Sequence, residues 1–318
     1  MSNQVGISNT EATNADACEL AWGFGFHPDM NFQLRDMGIA RRRGIIGHEA
    51  LEIHYGGLKE GRDYDECAQD ALNHIQDLRV KELMAGDFVD ADTLSLLNYL
   101  YGILQKYFDH YRSDVDDYEF LGVESFYAQE QPEEVDFYLP SRLDLVVYHK
   151  RGEFKGETSP FDHKFTYDFW HRPKFVLNSQ LPLYILALRA ARFAGKPTPV
   201  VKRAVVNEIR TREFKKEVTI DDLFRRTPWS YTSKRLQTVF DNHMKKAVIL
   251  AHYKRLPWDE FREESKASLG SMACGYCDFK DLCDITFEEG DPSNVIQATL
   301  KKNEYGYPPL EEISRERN

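Results

Sequence analysis

Arg142-Leu143-Asp144-Leu145-Val146-Val147-Tyr148 and, a short connection later, Phe161-Asp162-His163-Lys164 are the two runs on which the reading of this chain turns. In the first, strand alternation sets Leu143, Leu145 and Val147 on one face and Asp144 on the other. In the second it sets Asp162 and Lys164 side by side, with His163 pointing away. If the two runs pair as a hairpin, Asp144, Asp162 and Lys164 converge. Two carboxylates at one point repel each other unless a hard divalent cation such as Mg²⁺ or Mn²⁺ sits between them. A neighbouring ammonium then has work to do: it orients an attacking water and stabilises charge growing on a phosphate. Taken alone, the runs favour a surface hairpin whose Asp162 and Lys164 form a weak exposed ion pair.

The surroundings extend the first reading. Residues 119–166 alternate β-branched and aromatic runs with Gly, Pro and charge clusters, which predicts three or four strands. Upstream, residues 39–55 have helical periodicity, with His48, Leu51, Glu52 and Tyr55 on one inward stripe. Residues 64–112 repeat apolar positions through Leu94, Leu97, Leu100, Leu104 and Phe108 and read as helical. A helix is predicted from Asn178 or Ser179 to Gly195, presenting Gln180 and Tyr184 one turn apart, followed by a strand over 200–209 and a long helix over 230–254. Glu124, in the strand before Asp144, is either a neighbour of the site or a solvated strand-edge carboxylate.

At 318 residues and 42% hydrophobic content, the chain has material for one large α/β domain or two small ones. It shows neither a signal-peptide pattern nor a run of apolar residues long enough for a membrane span, so a cytoplasmic protein with no membrane partner is expected. A net charge of −11 argues against nonspecific coating of nucleic acid. Basic groups are local instead: Arg41-Arg42-Arg43, His171-Arg172-Pro173-Lys174, Arg189 and Arg192. Tyr167, Phe169 and Trp170 lie beside the second of these, as core or rim residues or as stacking partners for unpaired bases.

Five cysteines in a chain of this kind do not suggest disulfides. Cys274, Cys277 and Cys283 form a C-x2-C-x5-C pattern, and three thiolates facing one metal centre need a fourth ligand, from Cys18 or Cys67. Spacing alone does not separate zinc from an iron–sulfur cluster.

The stretches Gly44-Ile45-Ile46-Gly47-His48, Arg142-Leu143-Asp144, Phe161-Asp162-His163-Lys164 and Gln180-Leu181-Pro182-Leu183-Tyr184 together resemble the PD-(D/E)XK nuclease superfamily, in its RecB/Cas4/Dna2-like branch. The resemblance implies a restriction-endonuclease-like core: an α/β fold with a central mixed β-sheet flanked by helices, a helical insertion and an iron–sulfur lobe. It implies that His48, Asp144 and Asp162 ligate Mg²⁺ or Mn²⁺, that Lys164 is catalytic, and that Gln180 and Tyr184 support the site and the DNA strand. It also favours a structural 4Fe-4S cluster on Cys18, Cys274, Cys277 and Cys283. Departures fall at Ser141 and Phe165, neither of which supplies a metal ligand.

One nuclease domain is therefore expected over residues 17–290, with a helical insertion near 60–115, an iron–sulfur segment at 270–285 and flexible tails at 1–16 and 303–318. The expected activity is metal-dependent hydrolysis of DNA, as an exonuclease acting on single strands or free ends, in a protein of bacterial, archaeal or phage-encoded origin. The competing expectations are a catalytically silent nuclease-fold protein that binds DNA ends, and a zinc-binding interaction protein.

Overall fold

In the computed structural model, residues 4–35, 38–84, 91–129, 135–191, 199–212, 218–268, 272–288, 290–303, 307 and 313 are described. The chain begins with β1 (Val5–Gly6), α1 (Asn9–Ala17), α2 (Glu19–Phe26), β2 (Phe32–Leu34), α3 (Ile39–Lys59), α4 (Tyr64–Met84), α5 (Ala91–His110) and α6 (Asp114–Asp117). Next come β3 (Tyr118–Gln129), β4 (Phe137–His149), β5 (Thr158–Thr166), α7 (Arg172–Leu177), α8 (Gln180–Ala190), β6 (Arg203–Arg210), α9 (Ile220–Leu223) and β7 (Phe224–Ser230). It ends with α10 (Ser233–Tyr253), α11 (Trp258–Glu264), α12 (Met272–Gly275), α13 (Lys280–Phe287), α14 (Ser293–Thr299) and β8 (Leu300–Lys302). The single domain expected from the sequence divides into two compact units: residues 38–127 with 142–236, and residues 1–37 with 128–141 and 237–318.

The first unit is an α/β structure on a mixed sheet flanked by helices. β4 and β5 are antiparallel, β5 and β6 parallel, β6 and β7 antiparallel, and β3 pairs with β4. A parallel pair needs a crossover, and α7 and α8 provide it between β5 and β6. On one face, α3, α4 and α5 bury Ala50, Leu51, Tyr55, Cys67, Ile75, Leu97, Leu100 and Leu104 against Leu145, Val147, Phe161, Val205 and Ile209. On the other, Phe175 of α7 and Leu181, Ile185 and Leu188 of α8 pack on Leu143, Val146, Ala204 and Val206. The segment expected as a helical insertion thus supplies a large part of the first core. Its apolar stripe on α5 runs Leu96, Leu97, Leu100, Ile103, Leu104, Tyr107 and Phe108, spacing that a helix turns to one side. Truncating a fully buried member such as Leu104 to Ala would cost about 2–5 kcal/mol.

Charge is buried within that first core. Arg226 of β7 holds Asp114 at 2.6 and 2.7 Å and donates to the hydroxyls of Tyr55 and Tyr107 at 3.0 Å each. Asn207 continues the network by donating to Tyr107 at 2.8 Å, and its amide lies 2.8 Å from His163 Nδ1. β7 was not foreseen: Pro228 and four polar residues mask its alternation, and among the described residues it pairs with β6 alone.

In the other unit, Trp22 and Phe24 of α2 pack with Tyr253, Trp258 and Phe261, ring centroids 5.3–6.1 Å apart. β2 and β8 form an antiparallel ribbon. Residues 1–16, expected as a flexible tail, instead contain β1, which runs parallel to the start of β4, and most of α1, which Ser8 caps. The reason is burial: Ile7, Ala12 and Ala15 belong to this unit's core, and Lys254 pairs with the buried Glu11 at 2.9 Å. Of the expected tail at 303–318, only residues 303, 307 and 313 are described; Asn303 donates its backbone N–H to Asn31, and Ile313 is buried. No helix among the described residues is long and apolar enough to cross a membrane.

Candidate metal centre and cysteine cavity

His48 sits on the sheet-facing side of α3, and the residue before it explains how closely that helix approaches β5. A Cβ at Gly47 would stand 2.2 Å from the Phe165 ring, so only glycine permits the contact. His48 Nδ1 then lies 3.6 Å from Asp144 Oδ2 and 3.7 Å from Glu124 Oε1. Ligand atoms of these three residues all fall within 4.8 Å of one another, the one such group of three or more among the described residues. Glu124 reaches this position from a left-handed backbone, φ 45°, which costs a non-glycine residue on the order of 1–3 kcal/mol. Its carboxylate is fixed by Arg142 Nε at 2.7 Å.

Asp144 marks the place where the β4–β5 pairing changes. Leu145 to Tyr148 pair with Phe161 to Thr158 in regular register, and then the Asp144 carboxylate itself accepts the His163 backbone N–H at 2.7 Å. The alternation shifts at the same point. Leu145 and Val147 enter the first core while Leu143 joins Val146 in the second, so the three do not share the face predicted for them.

On β5, Asp162 and Lys164 do share a face, with Lys164 Nζ 2.8 Å from Asp162 Oδ1. His163 points to the opposite side and stacks on Tyr55 at 5.7 Å. Gln180, at the start of α8, donates to the Tyr184 hydroxyl at 2.6 Å, and its Oε1 lies 3.5 Å from Lys164 Nζ. Asp162 is therefore engaged with the ammonium and stands outside the tight His48, Glu124 and Asp144 group. Its second oxygen, Oδ2, is buried without a hydrogen-bond partner. A buried acceptor left open is costly unless something positive takes it.

The electrostatics agree. Burial, reinforced by the Asp162 and Glu124 carboxylates and opposed by His48 and Lys164, pushes Asp144 up to about 7. For His48, burial works against the charged form, but Glu124 and Asp144 outweigh it and its pKa is raised. Lys164 behaves likewise, burial being outweighed by Asp162 and Asp144. The set is short of positive charge, and its hard oxygen donors with one imidazole suit Mg²⁺ or Mn²⁺.

Glu124 and Arg142 are the residues that sequence reasoning undervalued. The available signal was parity: Arg142 shares its strand position with Asp144, so it too faces the site, and a carboxylate had to oppose it. Among the basic groups, Arg189 is committed to the Val201 carbonyl at 2.9 Å, while Arg192 and the expected helix end at Gly195 lie outside the described residues.

In the other unit, Cys18, Cys274, Cys277 and Cys283 line one cavity of about 510 Å³, together with Phe24, Phe26 and Phe279. Cys18 stands between α1 and α2, Cys274 on α12 and Cys283 on α13. Ser268 links two of them: its N–H donates to Cys18 Sγ at 3.5 Å, and its carbonyl accepts from Cys274 Sγ at 3.1 Å. Burial and the neighbouring Cys18, Cys277 and Cys274 sulfurs push the Cys283 thiol up to about 11. The Cys277 thiol is raised by burial as well, so these two resist ionisation unless a cation joins them. Cys67 is buried in the other unit's core, under α3, and takes no part in the cavity.

A sequence model of the PD-(D/E)XK nuclease superfamily matches residues 7–284 of the chain. No curated protein matches it significantly.

Proposed function

The chain belongs to the PD-(D/E)XK nuclease superfamily, and from that premise we propose that it hydrolyses DNA phosphodiester bonds with Mg²⁺ or Mn²⁺ at the His48, Glu124 and Asp144 group. The observation that carries this reading is the convergence of those three ligands beside a buried Asp162 oxygen that has no partner. His48, Asp144 and Asp162 act as metal ligands, and Glu124 joins them. When bound, the cation supplies Lewis-acid polarisation of the scissile phosphate. Lys164, held by Asp162 and reached by Gln180, orients the attacking water and stabilises negative charge on the phosphate. Gln180, in turn braced by Tyr184, keeps the lysine from rotating away.

Cys18, Cys274, Cys277 and Cys283 hold a structural 4Fe-4S cluster in this reading. The four cysteines line one cavity, which supports a shared metal occupant. The nuclease unit then works from free ends, with single strands preferred. Incubation with end-labelled linear DNA and with circular DNA, in Mg²⁺, Mn²⁺ or EDTA, tests the proposal. Release of label from linear DNA in either metal, none in EDTA and survival of the circle are expected. Absence of cleavage in every metal condition would leave a silent DNA-end-binding protein as the better description.

A further inference from the structure

Three residues beyond Lys164 the chain leaves β5 and makes a turn, Tyr167-Asp168-Phe169-Trp170, before α7 carries it to Gln180. This turn leads from the strand that presents Lys164 into α7, which precedes the helix that presents Gln180. Tyr167 is 61% exposed, an unusual position for a large aromatic ring.

The turn is firmly built. Glu208 of β6, whose side chain is fully buried, accepts the Trp170 backbone N–H. Its other oxygen holds Arg225 at 2.8 and 3.0 Å. Arg225 also donates to the Trp170 carbonyl at 2.6 Å, so the backbone of this one residue is held at both its N–H and its C=O. Phe169 lies between two guanidinium groups, with Arg225 4.5 Å and Arg210 5.0 Å from its ring centroid. Thr166 Oγ1 donates to the Asp168 carbonyl at 2.7 Å, and Arg210 holds the Asp168 carboxylate at 2.8 Å. Arg212 sits 5.6 Å from the centre of the Tyr167 ring. A buried carboxylate committed to fixing a surface turn implies that the position of that turn matters.

The charge around it is also distinctive in a chain of net charge −11. Arg172, Lys174, Arg212 and Arg225 all have exposed side chains or exposed positions here, against Asp168. An exposed aromatic ring on an anchored turn, with a guanidinium beside it and further cations along the turn, matches one ligand chemistry closely: an unpaired base on a phosphate backbone, with the base on the ring and the phosphates on the cations.

We propose that Tyr167 is a stacking platform for an unpaired nucleobase of the substrate strand, with Arg212 beside it as a phosphate contact, on the turn that continues the Lys164 strand. This rests on the nuclease reading above and deepens it, because it assigns strand-state preference to a defined residue. The turn is a binding subsite and takes no part in the chemical step.

The test is equilibrium binding of the full-length protein to a fluorescein-labelled oligo-dT and to a blunt duplex of equal length, with Ca²⁺ in place of Mg²⁺, for wild type, Tyr167→Phe and Tyr167→Ala. Loss of one base–aromatic stack predicts roughly 5- to 150-fold weaker single-strand binding for Tyr167→Ala, near-normal binding for Tyr167→Phe and little change for the duplex. Because Tyr167 is on the surface, neither variant should fail to fold, and a 2-aminopurine placed in the oligonucleotide gives an independent readout: quenching by wild type and its loss in Tyr167→Ala. Unchanged single-strand affinity in Tyr167→Ala, or an equal loss for single strand and duplex, overturns the platform even if the enzyme cleaves normally. A wild-type protein that neither binds nor cleaves any DNA overturns the nuclease reading itself, which separates the two failures.

Discussion

The two sets of side chains proposed as metal ligands in this chain are held in different ways. His48, Glu124, Asp144 and Asp162 stand on a long helix and three strands, and each is fixed by another group. The close approach at Gly47 seats the helix, Arg142 holds Glu124, the His163 N–H holds Asp144, and Lys164 holds Asp162. Cys18, Cys274 and Cys283 stand at the end of one helix and on two short ones, around a cavity, and the contacts recorded for Cys18 and Cys274 run to the backbone of Ser268. In the first case the donors are organised without a cation; in the second, on the proposed reading, an occupant would organise the protein. Metal removal should therefore cost rate at the carboxylates and folding free energy at the cysteines.

The strongest way to break that contrast is at Asp144. Asp144→Ala removes a ligand and the acceptor of the His163 N–H together, and single-turnover cleavage at saturating Mg²⁺ should fall below detection while DNA binding persists. Lys164→Ala, under the same conditions, should lose roughly 10²–10³-fold in rate, and Lys164→Arg should remain severely impaired because a planar guanidinium cannot occupy the ammonium's position. Cleavage by Lys164→Ala at the wild-type rate would reduce the Asp162–Lys164 contact to a structural ion pair.

Cys18→Ser probes the other side. Freshly isolated wild type should be brown, with broad absorbance near ~400 nm, and the variant should be bleached and several kcal/mol less stable to denaturant. Cys67→Ser should keep its iron. Stoichiometric zinc without iron in anaerobic preparations would replace the cluster with a tetrahedral ion. Comparable in size is Asp114→Ala, which strands Arg226 in the first core and should cost about 3–5 kcal/mol in urea unfolding.

The smallest of these effects is one of pH. Burial lowers His54 to about 3, so it is neutral in the native state while an unfolded histidine takes a proton below about 6.5. The unfolded chain then binds more protons, and stability falls as pH drops through that window. Between pH 6.5 and 5 a single such histidine accounts for about 2 kcal/mol. His54→Phe should flatten the acid limb of the stability profile; an unaltered slope would assign it to the other buried histidines, such as His149 and His243, both lowered by burial to about 4.

What could be read beforehand follows the same division. Alternation on β5 correctly separated Asp162 and Lys164 from His163, because a two-residue period is set by the backbone alone. Alternation on β4 failed at Asp144, where a side chain takes over a backbone hydrogen bond, an event no periodicity encodes. Helical repeats located α3, α5 and α10, but not that α4 and α5 would form core instead of an appendage, which depends on what the sheet leaves uncovered. Polarity at the N-terminus suggested a loose tail, although Ile7, Ala12 and Ala15 were enough to bury it. Glu124 was visible as an acid on a strand; that it would turn inward from a left-handed backbone was not.

That backbone has an evolutionary meaning. At Glu124 the residue best for folding and the residue best for chemistry are different, since glycine would relax the φ of 45° and remove the carboxylate in the same step. Glu124→Gly should hold or raise the thermal midpoint while metal affinity falls, so a lineage selected only for robustness would drift toward an inert fold. The sign of that trade-off, read from a melting curve beside a Mg²⁺ titration, distinguishes a ligand maintained by its use from a carboxylate that merely happens to lie nearby.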